Sequence, residues 1–383
     1  HHQPRRQRQM CIRDRPDASS QAADRTGAGG PIVALAGGYD VKEWFVELGL
    51  PVRDNFNLEA GLRFADYSTG NDTDAFKLGG YYQVNDQVSL RATVQTATRH
   101  GSITELYRGQ GSSLTDLDPD PCGTDPETNI GPSYTQAQCA NTGLPASLYG
   151  SDLKSPADQY NILTGGNPNL VPEESESTTI GIVLTPDAIP GLTLTLDYFD
   201  IVVEDKIGTI PASTSLKNCL ETGNPTFCNL IERDPIAGTL WVSPGQIITT
   251  NTNVAEESMT GFDLIFDYML ETGLGPIDIK GITTFTESNE LTVMPGEAAI
   301  ECAGYYGKSC GKNPMPEVAG NYTASLSRGN LDYVFGMRYL GETEDLNTTA
   351  IDFEDKTYFD VTVNYQFSAV SYTHLTLPTR LMV

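Results

Sequence analysis

Residues able to do chemistry are scarce in this chain. It has four histidines, and His1, His2 and His374 stand at its extreme ends, so only His100 lies in the body, directly after Arg99. A histidine-rich metal site needs several imidazoles, and a nucleophile needs a base beside it. Neither can be assembled from a single His. Arg99 and His100 end a strand-like run, where they face either a lumen and whatever plugs it or a surface turn. Asp116, Asp118, Asp120 and Asp125 (DLDPDPCGTDPE, 116–127) offer the hard oxygens that calcium prefers. They lack EF-hand spacing, which weighs towards a solvated acidic loop. Adjacent Glu173 and Glu174 suggest acid–base work, but no nucleophile accompanies them and turn polarity is the better reading. Trp241, Tyr305 and Tyr306 suit either ligand contact or loop packing. No catalytic, cofactor-binding or metal-ligating residue is assigned, and the chain is not expected to be an enzyme.

The cysteines carry a clearer message. Of seven, Cys11 lies in the basic start. The others form three local pairs, Cys122 with Cys139, Cys219 with Cys228 and Cys302 with Cys310, each in a Gly/Pro/Asn-rich stretch. Such pairs predict disulfides made in an oxidising compartment. Zinc is the competitor, but no CxxC or neighbouring His supports it.

The elements positioning these residues are read from periodicity. Phe56, Leu58, Ala60, Leu62 and Phe64 alternate with polar or small residues, as do Val88, Leu90, Ala92 and Val94. The pattern returns at Phe262–Leu270, Leu331–Tyr339 and Phe359–Phe367. Period two means strands with one apolar and one polar face. The runs span about 9–12 residues, the length of a tilted strand crossing a bilayer. The run from Leu192 to Val203 changes phase near Tyr198 and Phe199, which predicts a bulge. Tyr67, Tyr198, Tyr268, Tyr339 and Phe367 stand where an interfacial aromatic girdle is expected. Short connections (82–87, 185–191, 327–330) alternate with long ones (98–172, 210–245, 287–317, 341–356). All three cysteine pairs fall in the long set. The expected fold is therefore an all-β, antiparallel transmembrane β-barrel with long disulfide-bearing outer loops and about 11–14 strands present. No stretch approaches the roughly 20 apolar residues of a membrane helix.

The ends read as foreign. Residues 1–16 and 369–383 resemble adapter-derived translation, leaving 17–368 as the barrel segment. Without the five arginines and one aspartate of the first stretch and the one arginine of the last, 18 basic residues face 49 acidic ones, a net charge of −31. Nucleic acid, bound through Lys and Arg at phosphates, is excluded as a partner.

Two motifs carry a family resemblance. RATVQTATRHGSITELY (91–107) is similar to a strand-and-loop signature of TonB-dependent outer-membrane receptors. GNPNLVPEE (166–174) resembles that family's Gly-Asn-Pro-x-Leu-x-Pro-Glu loop, here Gly166, Asn167, Pro168, Asn169, Leu170, Pro172 and Glu173. PGLTLTLDYFDIVVEDKIG (190–208) looks like the strand that follows it there. The resemblance implies a barrel of about 22 strands plugged by an N-terminal domain, in the outer membrane of a Gram-negative bacterium. Its partners would be membrane lipid, the TonB complex acting through a plug region not seen here, and a small-molecule ligand. Function would be energy-coupled import of a scarce ligand of the siderophore-iron, cobalamin or saccharide class. A passive porin or a secreted β-rich binding protein are the alternatives. The loop signatures favour the receptor.

Overall fold

In the computed structural model the described residues are 13–14, 35–117, 119–294, 298–307, 310, 313–346, 352–368, 371–375 and 381–382. Long strands dominate: β1 (Val41–Arg53), β2 (Phe56–Tyr67), β3 (Asp72–Asn85), β4 (Val88–Arg99), β5 (Glu173–Leu184), β6 (Leu192–Gly208), β7 (Thr252–Thr272), β8 (Gly275–Thr292), β9 (Val318–Arg328), β10 (Leu331–Leu340) and β11 (Lys356–Ser368). Each pairs antiparallel with its chain neighbours in one meandering sheet. The two flanks read as foreign lie largely outside the described residues, although Ser371–Leu375 pairs with β11.

Register follows from the alternation, because a slip of one residue would turn every side chain to the wrong face. Leu90 pairs with Ile182, Ile182 with Leu196, and Leu196 with Leu264, one apolar row across four strands. Ile180, Tyr198, Phe262 and Phe285 make another. This face is uncovered: Trp44 is 65% exposed although its ring stacks on Phe64 at 4.7 Å. The other face carries Glu59, Lys77, Arg91, Asp197, Asp267 and Lys280. At one end the hairpins turn tightly, as at Ser327–Asn330, where Gly329 takes a left-handed φ of 60°. The long connections gather at the opposite, loop end.

Two expectations need correcting. The strands are not confined to 9–12 residues: β6, β7 and β8 have 17, 21 and 18. They continue past the apolar band as a polar extension at the loop end, where polar residues no longer signal a boundary. The phase change at Tyr198–Phe199 leaves the register unbroken, and the irregularity falls at Val203–Lys206, where Asp205 has a φ of 51°. Phe199 sits on the polar face as cover for Gly261, where a Cβ would meet its ring at 2.8 Å. Tyr198 packs against Phe262 and Tyr67 stacks on His100.

The buried core is not in the sheet. It lies where segment 100–172 meets segment 209–251. A four-stranded sheet joins them in the order Ile231–Glu232, Gln246–Ile248, Gln159–Thr164, Gly111–Asp116, with Ile247 parallel to Ile162 across the two segments. Helices α1 (Ile103–Tyr107), α2 (Gln136–Asn141), α3 (Ala212–Thr222) and α4 (Pro225–Cys228) complete the module. In α3 the residues Ala212, Ser215, Leu216, Cys219 and Leu220 are buried, the spacing of one helix face. They pack with Leu153, Tyr160, Leu240 and Ile247. A sheet whose apolar face meets a non-aqueous surround needs no core of its own. The loop segments, by contrast, bury a core of their own.

Candidate functional site

The candidate functional surface is the loop end, and its base is built from the motif residues. Arg99, last in β4, faces Glu173, first in β5, and they pair at 2.5 and 2.6 Å through two guanidinium nitrogens. The same guanidinium donates to Glu105 at 3.0 Å, while Glu173 also accepts the Ile207 N–H at 2.7 Å. Ser102 and Glu105 form a reciprocal capping box on α1. Burial pushes the Glu105 carboxyl up, but the hydrogen bonds from Arg99 and Ser102 outweigh it and leave the carboxyl below its ordinary range. One arginine thus ties the exit of the first long segment, its first helix and its return.

The Gly166–Glu173 loop is a clasp. The Gly166 N–H donates to the Arg108 carbonyl and the Asn167 N–H to the Glu105 carbonyl. A Cβ at Gly166 would lie 2.7–2.8 Å from backbone atoms of Arg108 and Leu106, so only glycine fits. The Asn167 amide donates to the Asn251 carbonyl, and the Asn251 amide to the Glu105 carbonyl, joining the second segment's exit to the first. Leu170 is buried, and its carbonyl accepts from Asn71. Asn169 stays outside, its N–H on the Asn167 side chain. Pro168 and Pro172 frame the turn.

His100 is 8% exposed. Its ring stacks on Tyr67 at 4.2 Å and tilts against Tyr39 at 4.5 Å, with Nε2 2.8 Å from the Thr69 hydroxyl and Nδ1 3.0 Å from the Gly101 carbonyl. Burial lowers its pKa below the ordinary histidine value. Arg99 and His100 are therefore both engaged by the chain's own loop base.

The other candidates are engaged as well. Asp120 is fully buried and paired with Arg233 at 2.6 Å, the side chains being 0% and 1% exposed. Arg233 also donates to the Thr142 hydroxyl and the Gly238 carbonyl. Asp125 accepts the Glu127 N–H and the Thr128 hydroxyl, which hold it below its ordinary range. Asp118 lies outside the described residues. Asp120 and Asp125 thus hold the 116–127 loop together. Disulfides join Cys122 to Cys139, Cys219 to Cys228 and Cys302 to Cys310. Trp241 donates to the Leu153 carbonyl at 3.3 Å inside the module. Tyr306 packs on Phe353, and Tyr305 pairs with Glu344 in a short parallel bridge.

The sequence matches the model of the TonB dependent receptor-like beta-barrel over residues 8–379. The chain belongs to the TonB-dependent receptor family. No curated protein sequence matches it. Among solved structures it is similar to the siderophore receptor PirA from Acinetobacter baumannii, with 16% identity, a TM-score of 0.50, and coverage of 88% of this chain and 41% of that one. It is also similar to a variant of the ferric enterobactin receptor PfeA from Pseudomonas aeruginosa, with 14% identity, a TM-score of 0.54, and coverage of 92% and 42%. Another PfeA variant, solved in complex with enterobactin, gives 14% identity, a TM-score of 0.55, and coverage of 93% and 42%. At such identities the likeness is one of fold, and the chain spans about two fifths of these proteins' length. Receptors of this family are transporters, not enzymes.

In this receptor the polar face is laced by ion pairs across strands. Arg63 meets Glu43 at 2.5 Å, Lys77 meets Glu59 at 2.9 Å, and Lys280 meets Asp267 across the pair at 3.2 Å and Asp278 of its own strand at 3.0 Å. Arg91 on β4 reaches Asp197 on β6 past the intervening β5, Nε to Oδ1 at 2.8 Å. The gap is Gly181, directly between them, where any Cβ would collide with the Asp197 carboxylate. Sequence reasoning missed both Gly181 and Arg233. An isolated glycine inside a strand does hint at close approach, but Arg233 and Asp120 are 113 residues apart and give no local signal.

Proposed function

We propose that this chain forms part of the barrel and outer loops of a Gram-negative outer-membrane receptor that imports a scarce small molecule with energy relayed through TonB. The observation that carries this reading is a family-matched sheet with one uncovered apolar face, one ion-paired polar face, and a folded loop module at one end only. The apolar face suits lipid, since a membrane-spanning sheet must satisfy its backbone internally while presenting apolar side chains outward. The polar face suits a water- or protein-filled lumen. Partners on this reading are outer-membrane lipid, a plug region, the TonB complex and a ligand from the siderophore-iron, cobalamin or saccharide group. The likeness to siderophore receptors favours an iron chelate.

Uptake of radiolabelled ferric chelates by cells expressing the complete gene tests the proposal, with and without TonB. Accumulation that stops when TonB is deleted or the proton gradient is collapsed supports import. Uptake indifferent to both makes the protein a passive channel.

A further inference from the structure

Import requires the ligand to meet the loop end first, and the charge there is lopsided. The described parts of the four long connections (100–172, 209–251, 293–317 and 341–355) hold 18 Asp and Glu against four Lys and Arg, a net of −14. More telling is what those four do. Arg233 is buried against Asp120. Lys154, its side chain 11% exposed, sits among Glu127, Asp125 and Asp158 at 3.0, 3.7 and 3.7 Å. Only Arg108 and Lys217, on different elements, are exposed without a carboxylate partner among the described residues. The neighbouring strand ends add little: Arg99 is held by Glu173 and Glu105, Lys206 is paired with Glu257, and Lys356 lies 3.9 Å from Glu354. Arg338 covers the ring of Tyr358 at 5.3 Å.

A multiply charged anion loses its hydration on entering a binding site and needs several cations to replace it. Among the described loop cations Arg233 and Lys154 are held by the loops' own carboxylates, which leaves only Arg108 and Lys217 for that task. The surrounding field repels anions and raises the local concentration of cations. We infer that the receptor takes a neutral or cationic metal chelate and excludes polyanionic ferric chelates. This rests on the import reading above and narrows it to a charge class. The fold shared with a receptor named for ferric enterobactin does not carry that ligand over, because charge at the loop end is set by loop residues and not by the barrel.

The test uses the complete receptor in neutral phosphatidylcholine vesicles with two probes, trianionic ferric enterobactin and monocationic ferrioxamine B. Binding is read by quenching of tryptophan fluorescence at about 0.02 M and about 0.3 M salt, where screening lengths are roughly 20 and 6 Å. The cationic probe should bind at least about tenfold better at low salt, with the gap narrowing at high salt. The charge-reversed variant E342K/E354K/D355K, altered at exposed sites outside the core, should bind the trianion better. Equal or tighter binding of ferric enterobactin at low salt overturns the inference and leaves the import reading standing. Binding of neither probe overturns the inference, while TonB-dependent uptake of another ligand would still support import.

Discussion

Removing Arg233 should open the loop module while leaving the barrel sheet intact. Arg233→Met keeps much of the side-chain volume but strands the Asp120 carboxylate, which is fully buried and whose other partner is the Cys122 N–H at 3.0 Å. Breaking a buried pair from one side costs about 3–5 kcal/mol, because an uncompensated charge is left behind. At 1.4 kcal/mol per factor of ten, the lower figure corresponds to roughly a hundredfold more frequent opening. The expected readout is hydrogen exchange at Ile162, Leu163 and Ile247, whose backbones link segment 100–172 to segment 209–251. Their protection should fall by about two orders of magnitude or more, while amides in β2 and β7 keep theirs. The double variant D120N/R233M should recover most of the loss, since replacing both partners removes the stranded charge. A change below about threefold in the single variant, or no recovery in the double, would refute the argument that the pair closes the module.

Other consequences are smaller and independent. Gly181→Val should push Arg91 off Asp197, and the lost pair should cost no more than about 1 kcal/mol because Arg91 is half exposed, read as a lower melting temperature. Arg91→Ala in the Gly181→Val background should then add little, and a fully additive second loss counts against the bridge. Glu173→Gln removes the charge that Arg99 uses, so limited proteolysis should cut faster between residues 100 and 110 without loss of the sheet. Unchanged cleavage there would mean that the clasp alone holds the base. His100 has a lowered pKa in the folded chain, so the unfolded loop base binds protons more readily and stability must fall as pH drops below about 6.5. His100→Gln should flatten that dependence of loop protection between about pH 6.5 and 5, whereas an unchanged slope would assign it to other groups.

Some of this architecture is written in local sequence and some is not. Alternation at Val88–Val94 and Phe359–Phe367 is enough to give strands, two unlike faces and a register, because pleating makes successive side chains point opposite ways. Short turns and local cysteine pairs likewise need only neighbouring residues. Strand length was less legible: above the apolar band, β6 to β8 run on with polar residues on both faces, and the alternation that marks a strand fades. Glu173 reads as turn polarity in isolation, yet it holds Arg99 and Ile207 because β5 and β6 bring them together. The acidic stretch 116–127 reads as a solvated loop, yet Asp120 is buried because Arg233 arrives from 113 residues away to pair with it. Composition told that the chain is acidic; only the fold decided that Arg233 and Lys154 are already held by loop carboxylates. The division has one physical cause. Strand periodicity and turn chemistry act between residues a few positions apart, whereas a buried charge is neutralised by whichever side chain the folded loops bring to it.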